Sequence, residues 1–268
     1  MTDVRILTNG SFTGRSALVT GAGSGIGRAI SLRLMELGAS VAGLGRREDA
    51  LEETKALADG LIGSFESVPC DVRDYDAVAA HVERIGSAKG LDLLVNNAGG
   101  QFVAPTTDVS MNGWKSVVEL NLNAVFHLTK VAHPFLRDSS GAVVNISLST
   151  VERGGVGFAH SISARAGVLA LTRTLALEWA ADGIRLNCLG PGTVITSALD
   201  NYEAARHIED NLIGRATPMR RATSVEEIAE LTAFLASPAA ALMTGQLIQI
   251  DGGTHLGPGV HMLPAYYD

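Results

Sequence analysis

Gly21, Gly25 and Gly27 follow a short apolar run, 16–20, and lead into a helical pattern that opens near Ile26. In such a strand–glycine–helix unit the first glycine permits a tight turn. The second lets the backbone approach a pyrophosphate, and the third lets the helix lie close to the strand. The helix N-terminus, with Ser24 and Ile26 in the loop, offers unpaired N–H groups and partial positive charge to a dinucleotide phosphate. Glycines also make ordinary turns, so it is the order of the three parts that points to a nucleotide site.

The next apolar run ends at Gly45-Arg46-Arg47. An acidic residue at this point would bond an adenosine ribose 2′-hydroxyl, whereas arginine accommodates a 2′-phosphate. With Gly45 where the acid is expected, Arg46 and Arg47 predict NADP(H) rather than NAD(H). Ser24 adds no charge, so the preference rests on these two residues; the alternative is a solvated arginine pair opening the next helix. Asp71, in Cys70-Asp71-Val72, can accept from an adenine amino group. In Asn97-Ala98-Gly99-Gly100, Asn97 can tie loop backbones together and Gly99 admits close approach. Plain turn chemistry is the competing explanation for both segments.

These residues must be positioned by the elements around them. Apolar runs at 16–20, 40–44, 63–69, 91–96, 142–147, 184–189 and 247–250 alternate with helical patterns near 26–38, 48–59, 74–87, 112–137, 162–181 and 224–236. Runs with little polar alternation suit strands buried on both faces, and regular alternation predicts an α/β doubly wound parallel sheet. No repeat or linker divides residues 1–268, so one domain is expected, with its core at 12–253. Hydrophobic residues form 46% of the chain and charged residues 18%, enough for one large core. The net charge of −7 argues against nucleic acid as a partner. No stretch reaches the ~18–20 apolar residues that span a bilayer. Cys70 and Cys188 are too few for a disulfide framework. The expectation is a cytoplasmic protein without a metal site.

Taken together, Thr20-Gly21 through Gly27, Cys70-Asp71-Val72, Asn96 to Gly99, Asn121-Leu122-Asn123, Pro191 to Thr196 and Gln249 to Gly253 resemble the short-chain dehydrogenase/reductase family over about residues 12–253. The resemblance implies a Rossmann-type sheet of seven strands, a nicotinamide cofactor and a homotetramer. It adds Pro191, Gly192, Val194 and Thr196 as cofactor contacts, with Val194 and Thr196 on the carboxamide. It makes 193–222 a substrate lid, followed by a tail at 254–268. That family works with Asn, Ser, Tyr and Lys. Here Asn121 is kept, but the Tyr position holds Ser161, the Lys position Arg165, and the Ser position Leu148.

A serine hydroxyl is a far poorer acid than a phenol with a pKa of ~10, and arginine keeps its charge, so it can bind ribose but not relay a proton. Reduction of a conjugated C=C demands less, since an enolate needs only hydrogen-bond donors. A narrower resemblance points the same way: Asn97 to Phe102, His160 to Gly167, Leu177 to Ala180 and Asn201-Tyr202 are similar to the trans-2-enoyl-CoA reductase branch, which uses NADPH and carries the same Ser and Arg. The Tyr that related 2,4-dienoyl-CoA reductases recruit from the loop after the fifth strand is replaced by Thr150. The expected activity is NADPH-dependent reduction of an α,β-unsaturated acyl thioester, with CoA as carrier, through Asn121, Ser161, Arg165 and Tyr202. The alternatives are reduction of another activated C=C, C=N or carbonyl group, or cofactor binding without turnover.

Overall fold

Leu18 and Val19 in strand β1 (Ser16–Thr20) are both fully buried, one on each face of the sheet. Neighbouring strand residues point to opposite sides, so a strand covered on both sides must be apolar at consecutive positions. The doublet recurs as Leu94-Val95 in β4 (Leu93–Asn96) and Val143-Val144 in β5 (Ala142–Ile146). In the computed structural model, which describes residues 7–196 and 217–257, these three strands are joined by β2 (Ser40–Gly45), β3 (Ser64–Pro69), β6 (Arg185–Pro191) and β7 (Leu247–Ile250). All pair in parallel, in the order β3-β2-β1-β4-β5-β6-β7. This is the expected Rossmann-type sheet. The chain winds outward in both directions from β1 and β4, and a crevice opens at their carboxyl ends.

Val19, Val95 and Val144 pack under α1 (Gly25–Glu36) and α7 (Val225–Ala236), on Ile30, Leu34, Ile228 and Ala233. The opposite face takes Leu18, Leu94 and Val143 against α3 (Tyr75–Lys89), α5 (Ala124–Ser139) and α6 (Ala159–Glu178). Each fully buried Leu, Val or Ile contributes about 1.5–3 kcal/mol. Helix α2 (Glu48–Leu57) covers the β2–β3 side. A capping box, Ser224 with Glu227, starts α7. Its Glu230 then meets Arg33 of α1 at 2.6 Å, with both side chains nearly buried. The same pair holds Leu7, whose carbonyl accepts from Arg33 at 2.7 Å and whose N–H donates to Glu230 at 3.0 Å.

The continuous helix expected at 112–137 is instead α4 (Met111–Val118), a π-helical turn (Glu119–Asn123) and α5. Its centre is the buried Asn121, whose Nδ2 donates to the Val117 carbonyl at 2.8 Å. That is the carbonyl an α-helical N–H of residue 121 would use. A side chain competing for the backbone acceptor accounts for the widened turn. Other differences are at element ends. Strand β6 runs on to Pro191 because Cys188 to Pro191 pair with β7, and α6 begins at Ala159, taking His160 and Ser161 into its first turn. No helix among the described residues is long and apolar enough to cross a membrane.

Candidate active site

A groove of about 410 Å³ runs along the carboxyl ends of the strands, from Arg46 and Arg47 past the glycine loop to Leu148, Arg165 and Thr196. Gly21, Ser24, Gly25, Ile26, Asp71, Val72, Asn97, Ala98, Gly99, Pro191, Gly192 and Val194 also border it. Gly27 does not. A methyl there would lie 2.2 Å from the Gly21 carbonyl oxygen, so its task is to let α1 pass close to the end of β1. Gly21 and Gly25 have φ of 68° and 51°, where side chains are disfavoured. The Thr196 methyl lies 3.3 Å from the Cβ position of Gly25, bringing the loop after β6 over the start of α1.

Asn97 ties β4 to β1 by donating from Nδ2 to the Thr20 carbonyl at 2.8 Å. The Thr20 hydroxyl accepts from the N–H groups of Asn97 and Ala98, each at 2.9 Å. Thr20 is a site residue that sequence reasoning passed over; its signal was a hydroxyl at the last strand position before the glycine loop. Asp71 is held by Arg73 in a forked pair at 2.6 and 3.0 Å, which, with the Arg73 backbone N–H, pulls its carboxyl down to about 2. A carboxylate has lone pairs left for an adenine amino group. Arg46 and Arg47 are exposed, and neither side chain has a hydrogen bond or close ion pair among the described residues, although Arg46 acts at longer range on Asp71 and Arg47 on Glu53.

At the far end, Ser161 and Arg165 share a face of α6, being four residues apart. Arg165 Nη1 donates to Ser161 Oγ at 2.6 Å, and that hydroxyl donates to Gln101 Oε1 at 2.6 Å. Gln101 therefore belongs to the site, although only its place beside Gly99-Gly100 hinted at it. Ser161 is fully buried with its proton committed to Gln101. Burial lowers Arg165 to about 10, still charged at neutral pH, and no carboxylate pairs with it among the described residues. Asn121 Nδ2 and Oδ1 bond the Gly100 carbonyl and N–H at 2.8 and 3.2 Å, so the asparagine fixes the loop after β4.

Of the serines flanking Leu148, Ser147 borders the groove and Ser149 does not. Ser149 bonds Asp251, and Ser147 is buried with its hydroxyl unpartnered. Leu148 itself packs with Val125 and Val168. The His160 ring accepts the Ser161 N–H through Nδ1 at 2.8 Å, stacks edge-on with Phe102 at 4.1 Å, and leaves Nε2 unpartnered. Glu152 is exposed and paired with Arg173. Tyr202, most of the 193–222 lid and the tail beyond 257 lie outside the described residues.

A family model described as enoyl-(acyl carrier protein) reductase matches residues 21–255. A peroxisomal 2,4-dienoyl-CoA reductase (3E-enoyl-CoA-producing) of Danio rerio is 34% identical over 245 residues, covering 90% of this chain and 81% of its own. A 3-oxoacyl-acyl-carrier-protein reductase of Thermotoga maritima is 34% identical over 243 residues, with 90% and 97% covered. Among solved structures, a short chain dehydrogenase from Bacillus anthracis superposes with a TM-score of 0.83 at 33% identity, covering 95% of this chain and all of that one.

Proposed function

This chain belongs to the short-chain dehydrogenase/reductase family of oxidoreductases, and on that premise we propose that it reduces the C=C bond of an α,β-unsaturated acyl thioester with NADPH. The observation that carries the reading is the Ser161–Gln101–Arg165 network in the register where the family keeps its phenol and lysine. It fixes a guanidinium, with N–H groups beyond the one given to Ser161, and offers no good acid. That is a poor setting for protonating an alkoxide and a sufficient one for an enolate.

Bound in the groove, the cofactor supplies a hydride to the substrate β-carbon. The exposed Arg46 and Arg47 suit a 2′-phosphate, Asp71 an adenine amino group, and Arg165 the nicotinamide ribose hydroxyls. As the β-carbon gains its hydrogen, the alkene electrons move onto the thioester carbonyl oxygen. Ser161 and Tyr202 are the groups assigned to that end of the substrate, and Ser161 serves it only by turning its hydroxyl from Gln101 to the oxygen. The α-carbon then takes its proton from water or from Tyr202. Asn121 acts as a positioning residue by clamping Gly100.

Oxidation of NADPH in the presence of crotonyl-CoA and decenoyl-CoA tests the assignment. Turnover with either is expected. An absence of turnover across chain lengths, with NADPH still bound, would sink it. Tyr202→Phe separates a donor from an apolar wall, since only loss of a donor lowers kcat at unchanged KM.

A further inference from the structure

Two arginines on loops after the site's strands have no counter-charge paired with them among the described residues, because the nearby carboxylates Glu152 and Glu227 pair with other arginines. Arg153 follows Glu152, but Glu152 is taken by Arg173 at 2.9 Å. Arg220 precedes Arg221, which takes Glu227 at 2.6 Å. Both Arg153 and Arg220 are exposed, and neither side chain has a hydrogen bond or ion pair among the described residues. Among the described residues these are two unpaired cations on neighbouring loops of a chain whose net charge is −7.

The two loops leave the same edge of the sheet and meet a common neighbour. Arg153 sits after β5, with Nη1 3.3 Å from the Cβ position of Gly257. Arg220 sits after β6, beside Met219, whose N–H donates to the Gly252 carbonyl at 3.1 Å. Both thus border the turn that follows β7. Arg220 also has φ of 60°, a conformation uncommon outside glycine, and such strain gathers at functional sites. The exposed side chains of Val156 and Met219 lie on the same two loops and give the approach an apolar character.

We propose that Arg153 and Arg220 bind the phosphates of coenzyme A in the thioester substrate. This rests on the thioester reading above. Coenzyme A carries a diphosphate and a 3′-phosphate at the end of its pantetheine arm, and two separated guanidinium groups suit two phosphate positions.

The test compares crotonyl-CoA with the crotonyl thioester of N-acetylcysteamine, which has the same reacting group and no phosphate. In the R153Q/R220Q double variant, the ratio of kcat/KM between the two should fall about tenfold, roughly threefold for each exposed contact. Added salt should shrink the ratio of the wild-type protein in the same direction. Calorimetric titration of free CoA into the NADPH-saturated protein reads the site apart from the reaction, and should show about tenfold weaker binding in the double variant. CoA binding that depends on the arginines without turnover of either thioester would uphold the site and overturn the reductase assignment. An unchanged ratio and unchanged CoA affinity would overturn the proposal, as would a higher kcat/KM for the same acyl group on acyl carrier protein.

Discussion

Asn121 and Arg165 close on the same side of Gly99: a methyl placed there would lie 2.7 Å from Asn121 Oδ1 and 2.8 Å from Arg165 Nη2. Asn121 is bonded on both sides of Gly100 and Arg165 is bonded through Nη1 to Ser161, so yielding by either pulls on the bonds that shape the site. Gly99→Ala must displace one of them. We expect it to raise KM for NADPH at least tenfold, with overpacking costing about 1–3 kcal/mol of stability. Cofactor titration and urea denaturation of the same variant would separate the two effects.

Cofactor choice can be tested at the opposite end of the groove. Arg46→Asp removes a charge-assisted contact to a 2′-phosphate and adds repulsion, so NADPH affinity should drop by roughly 1–3 kcal/mol while NADH binding changes little. Equal NADPH binding in variant and wild type would leave Arg46 a solvated surface residue.

Asp71 predicts an acid limb in stability. Its folded pKa, about 2, is below the usual 3.8 chiefly because Arg73 donates to the carboxylate. A depressed carboxyl stabilises the fold fully above the unfolded value, and the contribution is lost as pH falls from 3.8 toward about 2. Urea melts across that range should show a shallower decline for Asp71→Asn than for the wild type.

The clasp between α1 and α7 sets a larger effect. Removing Arg33 takes away the guanidinium that pairs with the buried Glu230 and releases the Leu7 carbonyl. Arg33→Ala should cost about 3–5 kcal/mol in chemical denaturation. A loss below 1 kcal/mol would mean that Glu230 finds another partner or takes up a proton.

Much of this architecture was legible because its causes are local. Doublets such as Leu18-Val19 announce strands covered on both faces, and Gly21 to Gly27 announce a turn that only small residues can make. The groove residues could be read for a similar reason: they stand in short loops directly after strands. What escaped depends on pairs distant in sequence. Gln101 and Ser161 are 60 residues apart and become partners only when α6 packs beside the loop after β4. Asn121 was marked as a site residue, yet the turn it opens in its own helix was not foreseen. Apolar spacing reports which face a helix buries, not which carbonyl a side chain takes.

That turn has a consequence for how the region tolerates change. A π-helical turn amounts to one residue inserted into an α-helix, and one residue rotates everything beyond it by about 100°. The two halves therefore face different neighbours, α4 lying against α6 and α5 against α3. Winding the same residues as an ordinary α-helix would swing Leu128, Ala132 and Leu136 away from the sheet, whereas deleting one residue between 119 and 123 would remove the extra residue and leave them facing it. The segment is thus a phase marker: it is the one stretch of this helix that can lose a residue without turning α5 off the sheet.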